Sequence, residues 1–144
     1  MSNHRRSEAT RVWPDHAGLS VADLEESIAW YQEKLGFELV RIVEIPDAEE
    51  TGKVALIRNG DFIIELFCLP KAAPLPEDRR VPTKDILTHG VKHIAYAVAD
   101  LDGLMDDLKA KDADVAWDIT VHDGDRCAFV RDNTGNLVEF VERK

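Results

Sequence analysis

The 144-residue chain is poor in several things, and each shortage excludes something. There are two cysteines, Cys68 and Cys127, far apart and outside any CxxC spacing. That rules out a disulfide framework or a zinc knuckle and fits a reducing, cytoplasmic setting. No apolar run approaches the length of a membrane span. The opening segment MSNHRRSEAT lacks an apolar stretch, so no signal peptide is expected and residues 1–12 read as a loose tail. Positive charge is also scarce, with 18 Lys and Arg against 28 Asp and Glu and a net charge of −10. Such a surface repels phosphate backbones and anionic lipid, which argues against nucleic-acid and membrane partners; the expected partner is a small-molecule substrate. What is present in ordinary amount is hydrophobic content, 44%, enough for a real core.

The strongest internal signal is a repeat. His16-Ala-Gly-Leu-Ser-Val21-Ala22-Asp23-Leu24 recurs as His93-Ile-Ala-Tyr-Ala-Val98-Ala99-Asp100-Leu101, both reading HxxxxVADL. Each segment is a strand-like run ending at an Asp placed to cap a helix. Helical spacing follows in each half: Leu24, Ile28, Tyr31 and Leu35 in the first, and Leu101, Leu104, Met105 and Leu108 in the second. Three strand-like stretches come next, 37–45, 53–58 and 61–68, then 115–120, 125–131 and 136–142 after the second helix. Asn59-Gly60 and Asn133-Thr134-Gly135 mark turns. The expected fold is therefore α+β, two tandem βαβββ modules (13–68 and 91–144) forming a curved, barrel-like mixed sheet around a metal cavity. Residues 69–90, carrying Pro70, Pro74, Pro76 and Pro82, form a mostly irregular connection.

The repeat also relates four chemically capable residues. His16 opens one module and Glu65 lies on its last strand; His93 and Glu139 take the matching places in the other. A carboxylate within an apolar strand, as in Phe62-Ile63-Ile64-Glu65-Leu66-Phe67 and Leu137-Val138-Glu139-Phe140-Val141, is costly unless paired or bound to a metal. Packing of the modules about a two-fold axis would turn all four toward one cavity. Imidazole and carboxylate donors suit one divalent ion, Zn, Ni, Co, Mn or Fe. Arg79, Arg80 and Lys84 form a basic cluster on the connection. They read as a substrate anion clamp, or as a solvated loop paired with Glu77, Asp78 and Asp85. Trp13, Phe62, Tyr96, Trp117 and Phe129 are candidates to shape an apolar pocket or fill the core, and His89 and His122 for ancillary polar roles.

The opening HxGLxVxDLxxSIxWYxxxLGF (His16 to Phe37), the IIELF strand around Glu65, the KHIAYAV strand and the closing DNTGNLVEFVE resemble the vicinal oxygen chelate superfamily, from about residue 13 to 142. This is the group of glyoxalase I, extradiol dioxygenases, methylmalonyl-CoA epimerase and fosfomycin-resistance proteins. The ligand set His16, Glu65, His93 and Glu139 is similar to that of glyoxalase I. The resemblance implies a divalent-metal-dependent lyase, isomerase or epimerase, and a homodimer, with the cavity formed within one chain or shared between two. Such an ion would chelate a 2-oxo or 2-hydroxy carbonyl compound and stabilise the enediolate formed when a proton leaves the neighbouring carbon. Glu139 first, and Glu65 second, are the expected proton carriers. Ser20 stands where bacterial glyoxalase I enzymes carry an Arg for the glutathione carboxylate. The alternatives are an Fe(II) extradiol-type dioxygenase, with Glu65 a bystander, and a small-molecule-binding resistance protein.

Overall fold

Alternation and capping place the elements. The computed structural model describes residues 7–46 and 51–144; residues 1–6 of the expected tail, His4 among them, lie outside the described residues. A 3-10 turn at Glu8–Thr10 precedes the first module. That module comprises β1 (His16–Ser20), α1 (Leu24–Leu35), β2 (Glu38–Pro46), β3 (Thr51–Asn59) and β4 (Phe62–Cys68). The connection then holds a 3-10 turn (Glu77–Arg80) and a short helix α2 (Pro82–Asp85). The second module comprises β5 (Ile94–Ala97), α3 (Leu101–Ala110), β6 (Asp114–His122), β7 (Asp125–Arg131) and β8 (Leu137–Glu142).

Both long helices begin alike. Asp23 accepts a hydrogen bond from the Glu26 backbone N–H at 2.9 Å, and Asp100 does the same for Gly103 at 2.9 Å. Each satisfies a donor that a helix start otherwise leaves unpaired. Gly36 ends α1 with φ at 73°, a left-handed conformation that an L side chain would strain.

The strands form two sheets of identical plan, ordered β1-β4-β3-β2 and β5-β8-β7-β6. In each, the first strand runs parallel to the last, and the remaining neighbours are antiparallel. Tandem βαβββ modules are thus as the repeat predicts, but within the chain the strands do not join one barrel-like sheet. Strands β1 and β2 edge one sheet, and β5 and β6 edge the other.

One face of each sheet carries its helix. Ile57, Ile64 and Leu66 pack beneath Leu24, Ile28 and Tyr31 in the first module; Val130, Val138 and Phe140 pack beneath Leu101, Met105 and Leu108 in the second. Each such side chain contributes roughly 1.5–3 kcal/mol on full burial. Trp30, Leu35 and Tyr96 pack against both clusters and join the modules.

Polar contacts join them as well. Asp132, 4% exposed, accepts hydrogen bonds from the backbone N–H groups of Thr134, Gly135 and Asn136, each at 2.9 Å. It also accepts from Asn136 Nδ2 and from the Tyr31 hydroxyl of α1, both at 3.0 Å. Ser27 donates to Asn133 at 3.1 Å, and Asn136 to the Ser20 carbonyl at 3.1 Å. The DNTGN turn is thus a clasp between the two modules, and it leaves the faces opposite the helices uncovered by them.

Candidate metal centre

Residues directly opposed across neighbouring strands point to the same face. Glu65 lies between Gly18 of β1 and Leu56 of β3, and Leu56 in turn pairs with Arg41 of β2. In the second sheet Glu139 lies between Ala95 of β5 and Phe129 of β7, and Phe129 pairs with Trp117 of β6. Both rows occupy the face away from the helix, because their strand neighbours Ile57, Ile64, Val130 and Val138 are in the cores.

On each open face a histidine meets the glutamate. His16 Nε2 stands 3.3 Å from Glu65 Oε2, and His93 Nε2 stands 2.7 Å from Glu139 Oε2. All four side chains are partly exposed, from 42% for His16 to 18% for Glu139. Two ligands at about 2.1 Å from one ion and at right angles lie about 3 Å apart, so both spacings suit a shared cation as well as a direct ion pair.

His16 has a second partner, since its Nδ1 bonds Asp15 Oδ2 at 2.7 Å. With the proton on Nδ1, Nε2 is left to face Glu65, the arrangement by which an outer carboxylate orients a ligating imidazole. The Asp15 hydrogen bond, and then the Glu65 charge, raise the His16 pKa above the ordinary 6.5. On the other sheet, burial and then the Glu139 carboxylate push the Cys127 thiol up. Donor chemistry and spacing therefore fit half of a divalent-cation site in each module.

The halves do not meet within the chain. Among the described residues no group of three or more His, Cys, Asp or Glu side chains could hold a metal ion. The sequence analysis expects His16, Glu65, His93 and Glu139 to face one cavity; the chain presents them as two separate His–Glu pairs. An open cavity of about 550 Å³ does exist, bordered by Ser20, Cys68, Pro74 and Thr134, and it contains none of the four.

The basic cluster is engaged elsewhere. Arg79 Nε lies 2.5 Å from Oδ1 of Asp85, an ion pair without hydrogen-bond geometry, and Arg79 Nη2 donates to the Val91 carbonyl at 2.6 Å. Arg80 donates to the Thr134 carbonyl at 3.1 Å, and Lys84 stands 3.9 Å from Asp78. Arg79 and Lys84 thus meet acids of the connection, and Arg80 a backbone carbonyl of the second module.

The aromatic candidates divide. Phe62 and Tyr96 pack into the core between modules, while Trp13 is 68% exposed ahead of β1. Phe129 meets the His93 ring edge-on at 5.0 Å, and Trp117 stacks on Phe129 at 6.3 Å with planes 27° apart. His89 and His122 are exposed. Sequence reading overlooked Asp15 and Arg41; the first was signalled by a carboxylate next to His16, the second only by strand register.

Known proteins with the same organisation bear on the site. The chain is 33% identical over 98 residues to the uncharacterized protein YwkD of Bacillus subtilis, covering 67% of this chain and 69% of that one. It is 30% identical over 133 residues to a lactoylglutathione lyase of Haemophilus influenzae, covering 90% and 91%. Among solved structures, a glyoxalase family protein from Enterococcus faecalis superposes with a TM-score of 0.74 at 22% identity, covering 90% of this chain and 97% of that one. The trypanothione-dependent glyoxalase I of Leishmania major gives 0.67 at 23%, covering 89% and 84%. With a family model matched over residues 13–140, the chain belongs to the Glyoxalase/Bleomycin resistance protein/Dioxygenase superfamily.

Proposed function

We propose that this protein is a divalent-metal-dependent lyase, isomerase or epimerase of glyoxalase type whose site is completed by two copies of the chain. The observation that carries the reading is the pair of half-sites: His16 facing Glu65 and His93 facing Glu139, at equivalent places on two open sheet faces. Two donors are too few for a catalytic metal, which is held by three or more protein ligands. A homodimer in which the first sheet of one copy faces the second sheet of the other supplies four.

Exposed apolar surface supports the pairing. Val40, Ile42 and Val43 of β2 and Val121 of β6, the outer strands of the two sheets, are each more than 40% exposed. Surface of this kind on a chain with two half-sites suits a self-complementary interface.

A bound ion would supply Lewis acidity, holding two adjacent oxygens of a 2-oxo or 2-hydroxy carbonyl compound and stabilising negative charge on them. The protein residues do the rest. His16, oriented by Asp15, and His93, set against Phe129, would hold the ion. Glu139, at 18% the less exposed of the two carboxylates, takes the proton from the carbon next to the carbonyl and returns it; Glu65 is its counterpart on the opposite wall.

The test is elemental analysis of the purified protein, followed by proton exchange. About one ion per chain is expected, with incorporation of solvent deuterium next to the carbonyl of a 2-oxo or 2-hydroxy substrate and loss of both in Glu139→Gln. Oxygen uptake with a catechol, or full metal content in Glu65→Gln, would sink the four-ligand proton-transfer reading.

A further inference from the structure

The two open faces match in plan but not in chemistry. Each outer strand carries a register shift at the same place in its module, between Leu39 and Arg41 in β2 and between Val115 and Trp117 in β6. Leu39 and Val115 pair with the core residues Ile57 and Val130. The extra residue, Val40 or Ala116, lets the next one pair on the open face instead. Bulges of this kind re-aim side chains beside functional sites. What they aim here is Arg41 in one sheet and Trp117 in the other, each two strands, about 10 Å, across from its glutamate.

Arg41 is exposed, and among the described residues it has no hydrogen-bonding or ion-pairing partner, in contrast to Arg58, Arg79, Arg80, Arg126 and Arg131. Trp117 is 43% exposed and continues the Phe129–His93 contact outward as an aromatic shelf. An unpaired guanidinium matches an oxyanion in fork geometry, and an exposed indole on a second ring matches a flat apolar group.

Building on the proposed metal site, we propose that Arg41 and Trp117 are its specificity residues. They select a substrate that carries, beyond the chelating oxygens, a planar or apolar body and a terminal oxyanion, either carboxylate or phosphate. Trp117 and Phe129 receive the body; Arg41 on the opposing wall receives the oxyanion.

Four hydroxamates, whose two adjacent oxygens chelate divalent ions, test this by calorimetry on the zinc-loaded protein. Acetohydroxamate has neither feature, benzohydroxamate has the ring, and its 4-carboxy and 4-phosphono derivatives add the oxyanion. The wild type is expected to prefer at least one charged derivative over benzohydroxamate by about tenfold, and the better of the two identifies the anion. Arg41→Ala should abolish that preference while leaving benzohydroxamate unchanged. Trp117→Ala should weaken all three aryl compounds by about tenfold and leave acetohydroxamate within about twofold.

A chain that takes up no zinc in a prior titration overturns both this inference and the metal-site reading. A chain that takes up zinc, yet ranks the four compounds alike in wild type and both variants, overturns this inference alone.

Discussion

The Tyr31 hydroxyl donates a 3.0 Å hydrogen bond to Asp132, and the two residues belong to different modules. Tyr96, at the same boundary, has a buried hydroxyl without any hydrogen-bond partner among the described residues. Burial raises the pKa of both phenols, and Asp132 adds to the effect, so both hydroxyls keep their protons. Opposite responses to one substitution follow. Tyr31→Phe should cost about 1–2 kcal/mol, Asp132→Ala roughly 2–4 kcal/mol because several donors lose their acceptor together, and Tyr96→Phe nothing or a slight gain. Urea unfolding midpoints measure this, with unchanged slopes showing that the unfolding transition is otherwise the same.

The proposed sharing of half-sites between two copies makes complementation a sharp measurement. A chain with both His16 and Glu65 changed to Ala, and another with both His93 and Glu139 changed to Ala, should each bind no ion as a homodimer. Mixed and re-equilibrated, they form heterodimers with one intact site of two, and recovery of about a quarter of the wild-type metal content is expected. Recovery of none would show that each chain builds its site alone.

His16 gives a pH signature. Its pKa in the folded, metal-free protein is raised, first by the hydrogen bond to Asp15 and then by Glu65. The stabilisation from the charged imidazolium is therefore complete below the unfolded value of 6.5 and is lost as pH rises through the higher folded pKa. A metal competes with that proton, so metal affinity should fall as pH drops through the same value, with proton release on binding. NMR titration of the imidazole in Asp15→Asn should show the pKa moving down; an unmoved value would refute the role given to Asp15.

Asp85 anchors the connection between modules. It is 1% exposed, lies 2.5 Å from Arg79 and 3.4 Å from Lys92, and keeps one carboxylate oxygen without a hydrogen bond. Removing it takes the carboxylate partner from two partly exposed cations, so Asp85→Ala should destabilise by roughly 2–3 kcal/mol. Lys84→Ala, on the surface, should change stability by less than about 0.5 kcal/mol. Thermal unfolding of the pair separates a structural loop from a solvated one.

Much of this was legible in the sequence because it repeats or is local. The HxxxxVADL motif placed both first strands and both helix caps, Asp23 and Asp100, and a capping carboxylate acts over three residues. His16, Glu65, His93 and Glu139 stood out because polar residues recurred in apolar strands. What escaped was set by distance. That Arg79 would face Asp85 depends on how the connection folds back, and Tyr31 and Asp132 are about 100 residues apart. Nothing local forbids a closed sheet either; the separation into two sheets comes from the edges at β1, β2, β5 and β6.

The bulges at Val40 and Ala116 have a consequence for how such a site changes over generations. A strand is a two-state register: one added or missing residue exchanges its faces. Without the shift at Val40, that valine would take the place opposite Leu56 and Arg41 would turn toward the helix; without the shift at Ala116, alanine would stand where Trp117 stacks. A single-codon insertion or deletion in an outer strand could therefore trade a cation for an aliphatic group, or an indole for a methyl, on the wall of the proposed site, while His16, Glu65, His93 and Glu139 keep their places on inner strands and at strand starts. On the proposed roles of Arg41 and Trp117, length variation in β2 and β6, as well as substitution, would change which substrate the site accepts.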